Sequence, residues 1–464
     1  MRRFVVVASI YAVLSANSLA QSVSDYPSPQ AAIDANPGKM IFVPNGDYLI
    51  DKKLRIAADN TGLYGFGRIV QANPAEPVLE IEHASGVRIE NITLTRADGT
   101  QDATSNGIFC WDSRNVEIDR VRIVNCRARE AAVEIRASKD VTVRNCQILN
   151  YKRIAIDDRT AEGETHYGYA FWAIDGTGIL VNESTGTSLL DNRILEENLM
   201  PTPETKEKFK LGTFTEGKYP SKEGDLAHDA FKKGYVDNWH QGSAIVVTSP
   251  EVTRDTIVRG NQIRNAAQGI DLHCDNALIT ENVIDYCMIG VKATHGCRNL
   301  TVSKNLISHV DLWGILLNPG AVSHAAEQAT EGAKERAQNV DAGTILANNT
   351  ITEYGYGNEY WNWGGRSKDQ GGSYAIALYE GQLPSNPPLT DVLIQGNMVY
   401  SSGRDGILVE GKVVQEPPRY RYAVYVGPWG EGREKGPTYP QGMHFADNLF
   451  HAGTAGVSNI ELTP

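Results

Sequence analysis

Short runs of alternating apolar and polar residues recur along this chain of 464 residues, and many end in asparagine. They are Asp140–Asn145, Ser188–Asn192, Asp255–Asn261, Ala277–Asn282, Leu300–Asn305, Thr344–Asn349, Asp391–Asn397 and Met443–Asn448. An apolar residue stands two positions after most of these asparagines, as Ile263, Ile284 and Ile307 do; Gln147 is the exception. The step from Asn261 to Asn282 is 21 residues and that from Asn282 to Asn305 is 23, a period that fits one coil of a parallel β-solenoid. A turn asparagine stacked on its copies bonds along the ladder and tolerates the tight bend, so these residues read as structural.

A second strand falls between the asparagines: Ala132–Arg136, Ile154–Asp157, Gly178–Asn182, Ala244–Thr248, Gly269–His273, Gly290–Thr294, Gly314–Asn318, Ala375–Tyr379 and Gly406–Glu410. Side chains alternate along a strand, so Ile270 and Leu272 point inward while Asp271 and His273 point outward. One column of the sequence thereby becomes one exposed face. The expected fold is all-β, a single-stranded right-handed parallel β-helix spanning residues 21–464. The amphipathic segment at Tyr26–Ala35 predicts a helix that covers the open N-terminal end of the stack. Insertions break the repeat at about 196–241, 321–341, 355–373 and 412–441. The one at 321–341 is rich in alanine and glutamate and reads as a surface helix. Cys126 follows Asn125 as Cys146 follows Asn145, which predicts that the two cysteines stack in neighbouring coils as small buried residues.

Residues 1–20 combine Arg2 and Arg3, an apolar run from Phe4 to Ala12 and Ser18-Leu19-Ala20, the pattern of a secretory leader, with a periplasmic or extracellular destination. No segment reaches the length of a membrane span. The net charge of -12 argues against nucleic acid, which needs a basic footprint.

The helix Pro27-Ser-Pro-Gln-Ala-Ala-Ile-Asp-Ala35, the strand Ile41-Phe-Val-Pro-Asn-Gly-Asp-Tyr48 and the coils together resemble the pectate-lyase-like superfamily of β-helix proteins. The resemblance covers nearly the whole of 21–464 and implies an enzyme acting on a polysaccharide. It leaves the reaction open, because lyases, hydrolases and epimerases share the scaffold. The stack is expected as a monomer or a trimer.

Chemistry is therefore sought on the outward face, which carries Glu134, Arg136, Asp157, Asn182, Thr248, Asp271, His273, Lys292, Thr294, Asn318, Tyr379 and Glu410. Adjacent coils place Asp271 beside Lys292, with His273 about 7 Å along the strand. β-Elimination from a uronate needs a cation for the carboxylate, a base for the carbon-5 proton and an acid for the leaving oxygen. Lys292 and Arg298 suit the first role, His273 the second, and His295 or a loop tyrosine the third, with Asp271 orienting them. Tyr354, Tyr356, Tyr360, Trp361 and Trp363 offer flat faces for sugar rings. Arg136, Asp157, Asn182, Asn318 and Glu410 complete the expected substrate contacts.

The run Gly269-Ile-Asp271-Leu-His273 also resembles the Asp-Pro-His strand of alginate carbon-5 epimerases, with leucine in place of proline. Ile156-Asp157-Asp158-Arg159 resembles the paired aspartates of polygalacturonase-like hydrolases, to which Asp175 and Asp271 would add. That family's Gly-His-Gly has only a partial echo in Thr294-His295-Gly296. No cofactor is required by these reactions; calcium would suit Asp157, Asp158 and Asp175, although no spacing compels it. A glycan-binding β-helix without catalysis is the remaining alternative.

Overall fold

The computed structural model describes residues 21–100, 103–155, 173–197, 242–330, 332, 334–354, 373–400, 407–414, 418–428 and 434–463. Their strands wind into a right-handed parallel β-helix. One sheet has twelve parallel strands, from Met40–Val43 to Gln441–Ala446. The other joins two rows of strands, which the long strands Val283–Thr294 and Leu306–Asn318 connect through a bend. Inward residues such as Ile245, Ile270, Val291, Ile315 and Ile376 lie in parallel register and are fully buried. The helix Pro29–Ala35 starts with proline under a Ser28 cap, and its Ala32 and Ile33 join the same core.

The asparagine turns form a directional ladder. Asn192, Asn261, Asn282, Asn305, Asn349 and Asn397 each donate backbone N–H and side-chain Nδ2 to the next asparagine's Oδ1, ending on Asn448. Most of the Nδ2 groups also reach a backbone carbonyl, as Asn282 does to Val258 O at 3.0 Å. Asn145 stands one place out of this ladder, whose column is occupied there by Cys146, the backbone N–H of which donates to Asn192 Oδ1 at 2.9 Å. Arg122 pairs with Gln147, which sets Cys146 level with Val121 rather than with Cys126. The expected stacking of the two cysteines is thereby corrected; all six cysteines are nevertheless buried and free.

A second column consists of Gly107, Ala132, Gly178, Ala244, Gly269, Gly290, Gly314, Ala375 and Ala423. A Cβ on Gly290 would lie 2.4 Å from Gly314 O and 2.7 Å from Ile307 Cγ2, so the bend admits only small residues. This column precedes the outward face by two residues and fixes its register.

Two of the expected face strands belong elsewhere. Arg153–Ala155 pairs antiparallel with Ala173–Asp175, and Ala131–Arg136 pairs directly with Thr177–Asn182. Ile407–Val409 likewise turns back on Lys412–Val414 through Glu410 and Gly411, both with positive φ (49° and 78°), the requirement of a two-residue hairpin turn. The face strand at that level is Tyr422–Gly427, inside a stretch expected to be an insertion. The described residues of 321–341 form no helix; they are joined by the isolated antiparallel bridges His324–Asn339 and Glu327–Arg336. Residues 1–20, 198–241 and 355–372 lie outside the described residues, and with them the leader, most of the first insertion and nearly all of the third.

Candidate functional site

The outward face is built by Ile108–Trp111, Ala131–Arg136, Thr177–Asn182, Ser243–Thr248, Gln268–Leu272, Val283–Thr294, Leu306–Asn318, Tyr374–Tyr379 and Tyr422–Gly427, each parallel to the next. Asp271 is in register with Lys292, and Thr294 with Asn318. The structure brings Asp271, His273, Lys292 and His295 into one cluster on two adjacent coils.

Asp271 is its centre. Lys292 Nζ donates to Oδ2 at 3.3 Å and lies equally close to Oδ1, while His273 Nε2 stands 3.1 Å from Oδ1. Burial alone would raise the Asp271 carboxyl, but Lys292 and His273 overcome it and hold it well below the usual carboxylate range. Asp271 is therefore an anion that balances the Lys292 ammonium. His273 is held at both ends of its ring: Nδ1 lies 3.0 Å from Thr248 Oγ1, and Nε2 is buried against Asp271, out of line for a hydrogen bond.

His295 packs edge-to-face on His273, with ring centroids 4.9 Å apart. Burial lowers its pKa to about 4, and the charges of His273 and Lys292 act in the same direction, so at neutral pH its imidazole is uncharged. Its backbone φ is 69°, the left-handed turn conformation that recurs at many turns of these coils, as at His83 and His309. Asp341 supports that backbone. Its carboxylate accepts from the N–H groups of Gly296 (3.1 Å) and Cys297 (3.0 Å) and from Ser323 Oγ (2.6 Å). Burial pushes this carboxyl up to about 6 despite those donors. Neither Asp341 nor its neighbour Asn339 was picked out by sequence; both lie more than 40 residues from the turn they hold.

Among the described residues, three buried polar atoms beside this cluster have no hydrogen-bond partner: Thr294 Oγ1, His295 Nδ1 and Asn318 Oδ1. Such orphans are scarce in folded proteins and mark places kept for something other than stability.

The other expected residues are more dispersed. Arg298 does not join the cluster. Its guanidinium is engaged by Asp275, with Nε 3.1 Å from Oδ2 and NH2 closer still, beside the other sheet. It follows the turn after the face strand, where the chain has already changed sides. Glu410 is an exposed turn residue of the hairpin, off the face column, because the turn reverses its strand. Arg136 and Asn182 share the outward column as expected; Arg136 pairs with Glu134 at 2.5 Å, and Asn182 Oδ1 accepts from Ser249 Oγ. Asn318 is buried on the same face. Tyr354 packs inside, bonding Leu312 O and meeting Tyr420 edge-to-face at 5.5 Å. Asp157, Asp158, Tyr356, Tyr360, Trp361 and Trp363 lie outside the described residues. Among the described residues no group of three or more His, Cys, Asp or Glu is placed to hold a metal, and no helix is long and apolar enough to cross a membrane.

Residues 78–200 match the family model for a right-handed beta helix region. Among solved structures, the A-module of the Azotobacter vinelandii mannuronan C-5 epimerase AlgE6 superposes with a TM-score of 0.52 at 14% identity, covering 95% of this chain and 100% of that one. An exopolygalacturonase from Thermotoga maritima gives a TM-score of 0.53 at 11% identity, covering 92% of this chain and 91% of the other. No curated protein matches at the level of sequence. These likenesses place the chain among the right-handed parallel β-helix proteins.

Proposed function

We propose that the protein is an exported carbohydrate-active enzyme, a lyase that cleaves a uronic-acid-containing polysaccharide by β-elimination. The observation that carries this reading is the cluster itself: an anion, a cation and two imidazoles converge on adjacent coils, ringed by buried polar atoms without partners. Two β-helix structures that it resembles bear names of enzymes acting on sugar polymers.

In this mechanism Lys292 neutralises the uronate carboxylate, which makes the carbon-5 proton more acidic and steadies the enolate formed when it leaves. An imidazole takes that proton. The electron pair then forms the carbon-4 to carbon-5 double bond while the carbon-4 to oxygen bond breaks, and the departing oxygen takes up a proton. Asp271 keeps Lys292 and His273 in place. Arg136 and Asn182 extend the same face for neighbouring sugars. Carbon-5 epimerisation is the second reading, since it begins with the same abstraction of the carbon-5 proton and differs only in the proton being returned to that carbon from the other face.

Incubation with a panel of uronic-acid polymers tests both. New ultraviolet absorbance from unsaturated ends is expected. Altered uronate composition without cleavage would mean epimerisation, and reducing ends without absorbance would mean hydrolysis. Retention of the polymer without any chemical change would leave a binding protein.

A further inference from the structure

We infer that His295, and not His273, exchanges the proton with the sugar through its Nε2, and that the 321–341 insertion serves this site by holding His295 in place. The inference rests on the lyase reading for its chemistry and on the geometry of one turn for its positioning.

The two histidines differ in what their nitrogens can reach. His273 has Nδ1 against Thr248 and Nε2 buried against Asp271, so neither lone pair faces a ligand. His295 has Nδ1 buried where a Cβ on Gly320 would stand 2.0 Å from it. Among the described residues its Nε2 is neither a buried unpartnered atom nor in any hydrogen bond, which leaves it as the open nitrogen. A neutral imidazole beside Lys292 has its lone pair ready to accept a proton, and an arriving uronate carboxylate would raise its basicity toward the working pH.

The insertion holds this residue through the backbone around it. Asn339 Nδ2 donates to His295 O at 2.8 Å and to Val322 O at 2.9 Å, tying His295 to the insertion's first turn. Asp341 fixes the two peptide N–H groups that follow, and through Ser323 Oγ it anchors the turn whose Gly320 covers the imidazole. Gly320 N in turn donates to Ser323 Oγ at 3.0 Å. Further out, Glu251 receives both His324 (2.7 Å) and Arg336 (3.0 Å), docking the insertion on another coil. In these terms His295 is a catalytic residue, whereas Asn339, Asp341 and Gly320 are positioning residues.

The test uses the full chain and the polymer that yields unsaturated ends. His295→Gly suits the φ of 69°, so the fold should survive, while kcat should fall at least about 100-fold. Added imidazole should restore part of that rate. His273→Gly should lose activity without rescue. Activity within threefold of the parent in His295→Gly, or rescue confined to His273→Gly, would overturn the assignment. Positioning is read separately, by nitrogen-15 NMR of the histidine rings. His295 should stay neutral from pH 5 to 8 in the parent, and Asp341→Asn should shift its ring signals and lower kcat more than it raises KM. Unchanged ring signals in Asp341→Asn would refute the positioning role. If no polymer yields unsaturated ends, the lyase reading and the proton-transfer role fail together, and the NMR experiment still decides the role of the insertion.

Discussion

The asparagine turns and the outward face belong to the same coils, yet they use polar residues in opposite ways. Along the turns one residue type repeats from Asn192 to Asn448, each passing its hydrogen bonds to the next. Along the face nothing repeats. Val246, Asp271, Lys292, Leu316 and Ala377 occupy one register position in five successive strands. The ladder satisfies buried polar groups, which is how such groups come to support a fold. The face leaves several unsatisfied at one spot, with ionisable groups pushed away from their ordinary pKa values, which is the character of a working site.

Substitutions on the two sides should therefore fail differently. The largest effect is expected for Lys292→Met, a loss of about 10³ in kcat, or about 4 kcal/mol of transition-state stabilisation, with little change in melting temperature. An equally large loss of stability in that variant would erase the contrast. Asn282→Ala should do the reverse. It strands the N–H of Asn261 and removes one of the acceptors of its Nδ2, costing about 2 kcal/mol in urea unfolding, while kcat per folded molecule stays within about twofold of the parent.

A smaller effect concerns acid. The folded pKa of His295 is lowered to about 4 from 6.5, so as pH falls below 6.5 the unfolded chain takes up a proton that the folded one refuses. Its contribution to stability is complete above 6.5 and is lost as pH drops toward 4. Asp341 acts in the opposite sense. Its folded pKa is raised to about 6 from 3.8, so its contribution favours the folded state below 3.8 and disappears as pH rises through 6. His295→Gln should thus flatten the decline in melting temperature between pH 6.5 and 4, and Asp341→Asn should steepen it. The smallest effect is expected for Arg298→Ala, about 1 kcal/mol from a partly exposed ion pair, with kcat falling far less than for Lys292→Met. A comparable loss of rate would return Arg298 to the site.

The repeat was legible because its cause is local: a tight turn calls for asparagine, the bend calls for glycine or alanine, and both recur at the coil period. Local resemblance also explains the errors. Ile154–Asp157 and Gly406–Glu410 carry the same alternation as true face strands, but pairing partners decide the matter, and antiparallel neighbours at Ala173–Asp175 and Lys412–Val414 captured these segments. Asn145-Cys146 imitates Asn125-Cys126 within two residues and differs from it only in register. The adjacency of Asp271 and Lys292 followed from counting coils. The support of His295 did not, because the bonds from Asn339 and Asp341 cross 44 and 45 residues and an insertion whose composition suggested only a helix.

The ladder also has a mechanical meaning. Its rungs are nearly identical in geometry but unequal in the chain they enclose, with 69 residues between Asn192 and Asn261, 21 before Asn282 and 51 between Asn397 and Asn448. Drawn out from its C-terminus, the protein should part rung by rung at similar forces. The lengths released would range from about 70 Å to about 240 Å at roughly 3.4 Å per residue. Its extension trace would carry a sequence of unequal steps by which each coil could be recognised.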